Sequence, residues 1–379
     1  MSRSVSWSRR GFLSARGLGA SAGGLLAEVL PDCPGTASTT PETTLAHWHL
    51  ARRAMACEFS VMLPPTVPDV LTAGESALDV IQELEDLLTV HRGDSAAAYL
   101  NQHAGDRPVR VDGRLFHLLE RAAELSCQTN GAFDVSTGSL VRAWGFLNGT
   151  KRVPSDAEIR VALAKSGMQH IQRDPTELTV HYAVPGLEVN FASMGKGYAI
   201  DRAIRRLVDE FEIECALMQG GLSSIYGLGS STRDGRGWLV GIQNPFVPDC
   251  FVATVRLRNR ALGTSGAANQ WFETNGQRWG HVLDPRTGWS VGGPDGRAEL
   301  ASASAIADDA ATADALATAF FVMGLDKTAD FCQDHPEIAA LLVLNPEHDD
   351  RASAPPRVVT FNLPSEDVNL RPGDESSGG

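Results

Sequence analysis

Along WHLARRAMACEFSVMLP, residues 48–64, apolar and polar side chains alternate with the two-residue period of a strand pair. The period then lengthens. In SALDVIQELEDLLTVH, Leu78, Ile81, Leu84 and Leu88 recur every three or four residues, which predicts a helix with one apolar face. GRLFHLLERAAELSCQTNG predicts a second helix, stopped by Asn130 and Gly131. Ser155, with Glu158 three residues later, forms a capping box that predicts a third. LTVHYAV and LEVNFAS read as a hairpin that delivers the chain into a turn, after which GYAIDRAIRRLVDEFE is helical. Strands are expected around ECALMQGG, WLVGIQNP and CFVATVRLR, then a glycine-rich region to 297 and two helices near 313–324 and 326–334. Strands in clusters separated by helices, without strict alternation, predict an α+β fold with mostly antiparallel sheets packed by helices.

The ends depart from this pattern. SRRGFL, residues 8–13, sets two arginines before an apolar, Gly- and Ala-rich stretch, the arrangement of a twin-arginine export signal. A Pro/Thr/Ser linker follows at 34–44, so 1–44 is expected to be signal and linker, 45–362 the folded domain, and 363–379 a disordered acidic tail. An exported protein, periplasmic or otherwise extracytoplasmic, is expected. With 379 residues, 43% of them hydrophobic, the chain is long enough for a large core. Its formal charge of −13 argues against nucleic acid as a partner, because such binders carry a basic footprint. No run of eighteen apolar residues exists, so no transmembrane segment is expected. The six cysteines form no CxxC pair and the chain has no HExxH, which argues against a thiolate zinc site or a zincin. They read mostly as small buried apolar residues.

Five stretches have candidate chemistry. NFASMGKGYAID, 190–201, holds Lys196 between Gly195 and Gly197 at the mouth of a helix, where backbone N–H groups attract anions. A Walker phosphate loop is excluded, since Asn190 and Gly197 stand where it needs Gly and Ser or Thr; a plain strand-to-helix turn with a solvated lysine is the other reading. TNGAFDVSTGSLVRAWGF, 129–146, places Asp134 and Trp144 in a polar loop able to hold a heteroaromatic ring or simply to end a helix. His281, beside the turn made by Asp284, Pro285 and Gly288, is either a general base or a structural histidine. Asp314 and Thr318 lie four apart on one helical face, a donor pair that suits magnesium and equally suits helix packing. QGGLSSIYGLG, 219–229, permits close backbone approach at Gly220 and Gly221 but contains no dinucleotide fingerprint.

Taken in order, RAMACEFSV, HRGDSAAAYLN, TNGAFDVSTGSLVRAWGF, NFASMGKGYAID, GHVLDPRTG and ADALATAFFVMG resemble the ApbE family, the FAD:protein FMN transferases, from about Met55 to about Gly324. The resemblance implies FAD contacts at Met55, His91, Ala132, Phe133, Asp134, Asn190, Lys196 and Leu283. It implies Mg²⁺ held by Asp314, Thr318 and a backbone carbonyl near Ser193, with His281 as the base. FMN would pass from FAD to a Thr or Ser of an acceptor flavoprotein, and AMP would leave. Asn190 stands where the family usually has Asp, His91 where Tyr is common, and Leu222 where Asp is usual. An FAD diphosphatase, giving FMN and AMP, and a noncatalytic flavin binder of the same fold are the alternatives.

Overall fold

In the computed structural model, which describes residues 47–370 apart from 148, 232–234, 248–249, 267–270, 275, 296–297 and 347–355, the first two strands are those the alternation predicts. β1 (Trp48–Ala54) and β2 (Cys57–Leu63) pair antiparallel with Ala54 opposite Cys57, so Met55 and Ala56 alone make the turn. The amphipathic segments appear as α1 (Val70–Leu88) and, beyond α2 (Ala96–His103) and β3 (Val109–Arg110), as α3 (Gly113–Gln128). After the short α4 (Gly138–Ala143), α5 (Asp156–Leu163) opens on the expected capping box, in which Ser155 and Glu158 each accept the other's backbone N–H. β4 (Ile171–Asp174) and β5 (Thr179–Tyr182) precede α6 (Gly195–Phe211). A run of strands follows: β6 (Ala216–Gly220), β7 (Ser224–Leu228), β8 (Trp238–Gln243), β9 (Phe251–Leu257), β10 (Arg260–Gly266), β11 (Trp271–Thr274), β12 (Gln277–Gly280) and β13 (Leu300–Ala307). Then come α7 (Ala310–Asp334), β14 (Ala339–Leu344), β15 (Val358–Phe361) and β16 (Val368–Leu370).

Every pairing between these strands is antiparallel, so the fold is α+β as the clustering predicts. Eight strands form one sheet in the order β1-β2-β6-β7-β10-β13-β14-β15, and β16-β9-β8 form another. The large sheet is covered on both faces. On one side it packs against α1, α6 and α7; on the other, Leu217, Ile225, Leu262, Ile306 and Leu341 meet Trp238, Val240, Val255 and Leu257 of the small sheet. The two-residue period of the strands divides their side chains between these cores: Leu342 and Ala340 of β14 face the helices, Leu341 and Val343 the second sheet. A separate aromatic cluster gathers Trp144, Trp279, Trp289 and Phe272, with the Trp144 indole N–H donating to the Gly288 carbonyl at 2.9 Å. It ties the segment around α4 to the turn beyond β12.

The structure departs from the sequence pattern at LEVNFAS, in the tail and at the cysteines. LEVNFAS is not a hairpin arm: β5 pairs with β3 and β4, and the 187–193 segment makes only an isolated bridge, Thr137 with Glu188. At Val189 a side chain replaces a strand partner, since Asn101 donates to the Val189 carbonyl at 2.9 Å and accepts the Val189 N–H at 2.8 Å, while Glu188 and Asn190 bond to the backbone of Gly138 and Val135. The two expected C-terminal helices are both present, running into one another within α7 and separated at Gly324 by its non-helical φ of 78°. Within the expected tail, 368–370 form β16 and pair with β9, because alternate apolar residues Val368 and Leu370 pack on the second core. The cysteines are mixed: Cys332 is a buried free thiol, whereas Cys57, Cys127 and Cys215 are free and not fully buried, and Cys250 is disulfide-bonded. The export motif, Cys33, the linker and residues 371–379 lie outside the described residues. Among the described residues no helix is long and apolar enough to cross a membrane.

Candidate active site

Asp314 sits in the second turn of α7 and is 6% exposed. The Ser224 hydroxyl, at the start of β7, donates to its Oδ1 at 2.7 Å, with Oδ2 2.9 Å away, and the Gly197 N–H donates to Oδ2 at 2.8 Å. Burial raises the carboxyl's pKa, while the nearby Lys196 charge, the Ser224 hydroxyl and the Gly197 N–H pull it down. One turn on, the Thr318 hydroxyl donates to the Asp314 carbonyl at 3.2 Å, which leaves its oxygen lone pairs for another partner. Thus the i, i+4 spacing and the helical start at Gly195 bring Lys196, Asp314 and Thr318 into one constellation.

The two glycines beside Lys196 are not equivalent, and neither has positive φ. A Cβ on Gly197 would lie 2.0 Å from the Ala310 carbonyl oxygen, so this glycine exists to let α6 and α7 touch backbone to backbone. On Gly195 it would meet only Phe191 and Leu88 side-chain atoms at 3.6 and 3.9 Å, ordinary contact distances. Just upstream, the Phe191 carbonyl accepts the N–H groups of Met194 and Gly195, and this tight bend carries Ser193 into the helix mouth.

The β1–β2 turn lies beside these charges. Cys57, the first residue of β2, has its thiol pKa raised by burial and by Asp314 and Glu85, with Lys196 acting in the opposite sense. Met55 and Ala56 have φ of 47° and 61°, left-handed values that L-residues avoid. The turn matches the right-handed twist of the strands at the cost of strain, and it fixes Met55 half-buried against the helix-side core. Because Ala56 is exposed, Ala56→Gly relieves strain without losing packing; we expect about 1 kcal/mol of added stability in thermal denaturation, and a lower melting temperature would show the turn to be unstrained. His91 is exposed beyond the end of α1, its N–H donating to Thr89 Oγ1.

The 129–135 loop meets both other parts of the site. The Asn190 N–H donates to the Val135 carbonyl at 2.7 Å, and Gly131 lies against the Arg286 side chain. Ala132 and Phe133 are buried, Phe133 in the core, so toward a ligand they present backbone rather than side chain. Asp134 is occupied by its own loop: Oδ1 accepts the N–H and hydroxyl of Ser136, both at 2.6 Å, and Oδ2 accepts the Met168 N–H at 3.1 Å. Burial nonetheless raises its pKa. Asn190 Oδ1 accepts the Ala192 N–H at 2.9 Å, a turn that an amide makes as well as a carboxylate does. Leu222 is 47% exposed in the β6–β7 turn.

His281 follows β12 directly and is half-buried. Leu283 is buried in the aromatic cluster and bridges Ser290, which closes a turn whose Asp284 carboxylate accepts the Arg286 N–H and two of its guanidinium N–H groups.

The profile of the ApbE family matches residues 55–342. The chain belongs to the ApbE family. An FAD:protein FMN transferase of Klebsiella pneumoniae is 31% identical over 265 residues, covering 70% of this chain and 79% of that one. One from Treponema pallidum is also 31% identical, over 79% of this chain and 84% of its own length. Among solved structures, the ApbE protein of Thermotoga maritima superposes with a TM-score of 0.71 at 28% identity, covering 79% of this chain and 94% of that chain. The apo flavinyl transferase ApbE of Pseudomonas stutzeri gives 0.70 at 26% identity, over 84% and 95%.

Within this ApbE fold, no three His, Cys, Asp or Glu side chains converge as a metal site among the described residues. The donors at Asp314 are of another kind: one buried carboxylate held in place by Ser224 and Gly197, and one hydroxyl with free lone pairs. An all-oxygen set with few protein ligands fits magnesium, which keeps waters and substrate phosphates in its shell. Ser224 and Asp201 were not singled out by the sequence. Ser224 acts 90 residues from Asp314 and Asp201 109 residues from Ala310, and no local period reports a partner at that distance.

Proposed function

We propose that this chain is a Mg²⁺-dependent FAD:protein FMN transferase. What carries the reading is the constellation of Lys196, Asp314 and Thr318 at the abutting helices α6 and α7, in a chain whose relatives are named for that transferase activity. A Thr or Ser hydroxyl of an acceptor flavoprotein attacks the phosphorus of the FMN half of FAD; a phosphoester bond forms, the pyrophosphate P–O bond breaks, and AMP leaves. His281 accepts the hydroxyl proton. Lys196, on the first turn of α6, places its charge where phosphate oxygens approach a helix N-terminus. The 131–134 and 283–288 segments, which approach one another at Gly131 and Arg286, are suited to enclose the flavin end. Magnesium, held by Asp314, Thr318 and a carbonyl near Ser193, would neutralise charge on the pyrophosphate oxygens. The SRRGFL motif supports an exported location, which cell fractionation tests directly.

The test is AMP release from FAD and Mg²⁺ with and without an acceptor flavoprotein domain. Release that rises sharply with the acceptor supports transfer. Release that ignores it indicates an FAD diphosphatase, and no release from folded protein indicates a binder. In the same assay His281→Ala is expected to slow transfer by about 10²- to 10⁴-fold, the range for removing a general base, while FAD binding by flavin fluorescence changes little; unchanged turnover would remove His281 from the reaction.

A further inference from the structure

We propose that Asp201 is a positioning residue for this reaction: from α6 it grips the first turn of α7 and thereby sets where Asp314 and Thr318 stand relative to Lys196. The inference rests on the transferase reading above for its catalytic consequence, and on geometry alone for the grip.

The grip is two-pronged. Asp201 Oδ1 accepts the Ala310 N–H at 2.7 Å and Oδ2 accepts the Ala311 N–H at 2.9 Å. One turn back on α6, the Gly197 N–H donates to Asp314, which lies one turn further along α7. Two bonding points, a turn apart on both helices, therefore fix α7 against α6 in position and in rotation. Between them the helix backbones are in contact at Gly197 and Ala310. A slip of α7 breaks both attachments together.

α7 does not need Asp201 merely to begin. It has its own N-cap, Asp309, whose carboxylate accepts the Thr312 N–H at 2.7 Å and the Thr312 hydroxyl at 2.8 Å. Asp201 takes the two remaining orphan N–H groups of the first turn, and it does so from a different helix. The placement is costly: burial, then the Asp309 charge, raise the pKa of the Asp201 carboxyl, while the two N–H groups its oxygens accept favour the charged form. An asparagine would avoid the charge but offers a single acceptor oxygen, and its NH₂ would face one of the two donors. The carboxylate shape is what holds both.

The experiment compares Asp201→Asn with Asp309→Ala in the full chain. Asp309→Ala weakens the same helix end and leaves both Asp201 bonds to α7 in place, so it controls for lost helix stability. Two quantities are read: the Mg²⁺ concentration giving half-maximal AMP release, and hydrogen–deuterium exchange at the Gly197 amide. Asp201→Asn is expected to raise the Mg²⁺ midpoint about 10-fold or more, the usual effect of removing a group that orients a metal ligand, to lower kcat, to move KM for FAD less, and to abolish protection at Gly197. Asp309→Ala is expected to lower the melting temperature while leaving the Mg²⁺ midpoint and Gly197 protection near wild type. The proposal is overturned if Asp201→Asn keeps both quantities near wild type, or if Asp309→Ala changes them equally. Wild type without Mg²⁺-dependent AMP release would sink the transferase reading instead, and the exchange comparison would still decide whether Asp201 positions α7.

Discussion

Asp314→Ala is expected to abolish Mg²⁺-dependent AMP release, a fall of at least about 10³-fold, since the metal's charge stabilisation of a transferring phosphoryl group amounts to several kcal/mol. The substitution removes the one buried carboxylate of the constellation and leaves the Gly197 N–H and the Ser224 hydroxyl without their acceptor. Each orphaned group costs roughly 1–3 kcal/mol, so the melting temperature should fall as well. Asp314→Asn separates the two effects, because an amide still accepts one of these bonds but carries no charge for a cation. We expect Asp314→Asn to regain much of the stability and little of the activity. AMP release by Asp314→Ala within about threefold of wild type would remove the metal from this position.

The second large effect is expected at Gly197. A methyl group there would sit 2.0 Å from the Ala310 oxygen, 2.3 Å from its carbonyl carbon and 2.7 Å from the Ala311 nitrogen, all backbone atoms that no rotamer change can move. Gly197→Ala must push α6 and α7 apart. We expect a loss of about 3 kcal/mol or more, the upper end of overpacking costs, together with loss of activity because the Gly197 bond to Asp314 is stretched. Gly195→Ala, two residues away, meets only side-chain atoms at ordinary distances and should be close to neutral. Equal melting temperatures for the two variants, measured by denaturant or heat, would contradict the proposed role of the glycine.

Much of this was legible in the sequence. The β1–β2 pair, α1, α3, the capping box at Ser155 and the helix after the lysine turn each follow from a local period or cap, and the structure has them, with α6 beginning at Gly195, two residues before the expected Gly197. LEVN misled because a short apolar run does not say whether its backbone partner is a strand or, as with Asn101, a single side chain. β16 was hidden in an acidic stretch because its apolar residues, Val368 and Leu370, are too few to show a period. At the site, spacing alone joined Asp314 to Thr318; Lys196 was noticed for its flanking glycines, although only Gly197 proves to be required by close approach. What joined the separate motifs was their order along the chain, which no single motif contains. Ser224 and Asp201 stayed unread because their roles are contacts between distant segments, made by residue types that are common in loops and helix ends.

The most direct test of the proposed activity mixes the protein with FAD, Mg²⁺ and an acceptor flavoprotein domain, and reads flavin fluorescence on a denaturing gel. We expect a fluorescent acceptor band that withstands denaturation, gains the mass of FMN less water, and disappears with EDTA or with Asp314→Ala. A dark acceptor band while AMP accumulates at the wild-type rate would contradict transfer and leave hydrolysis of FAD in its place.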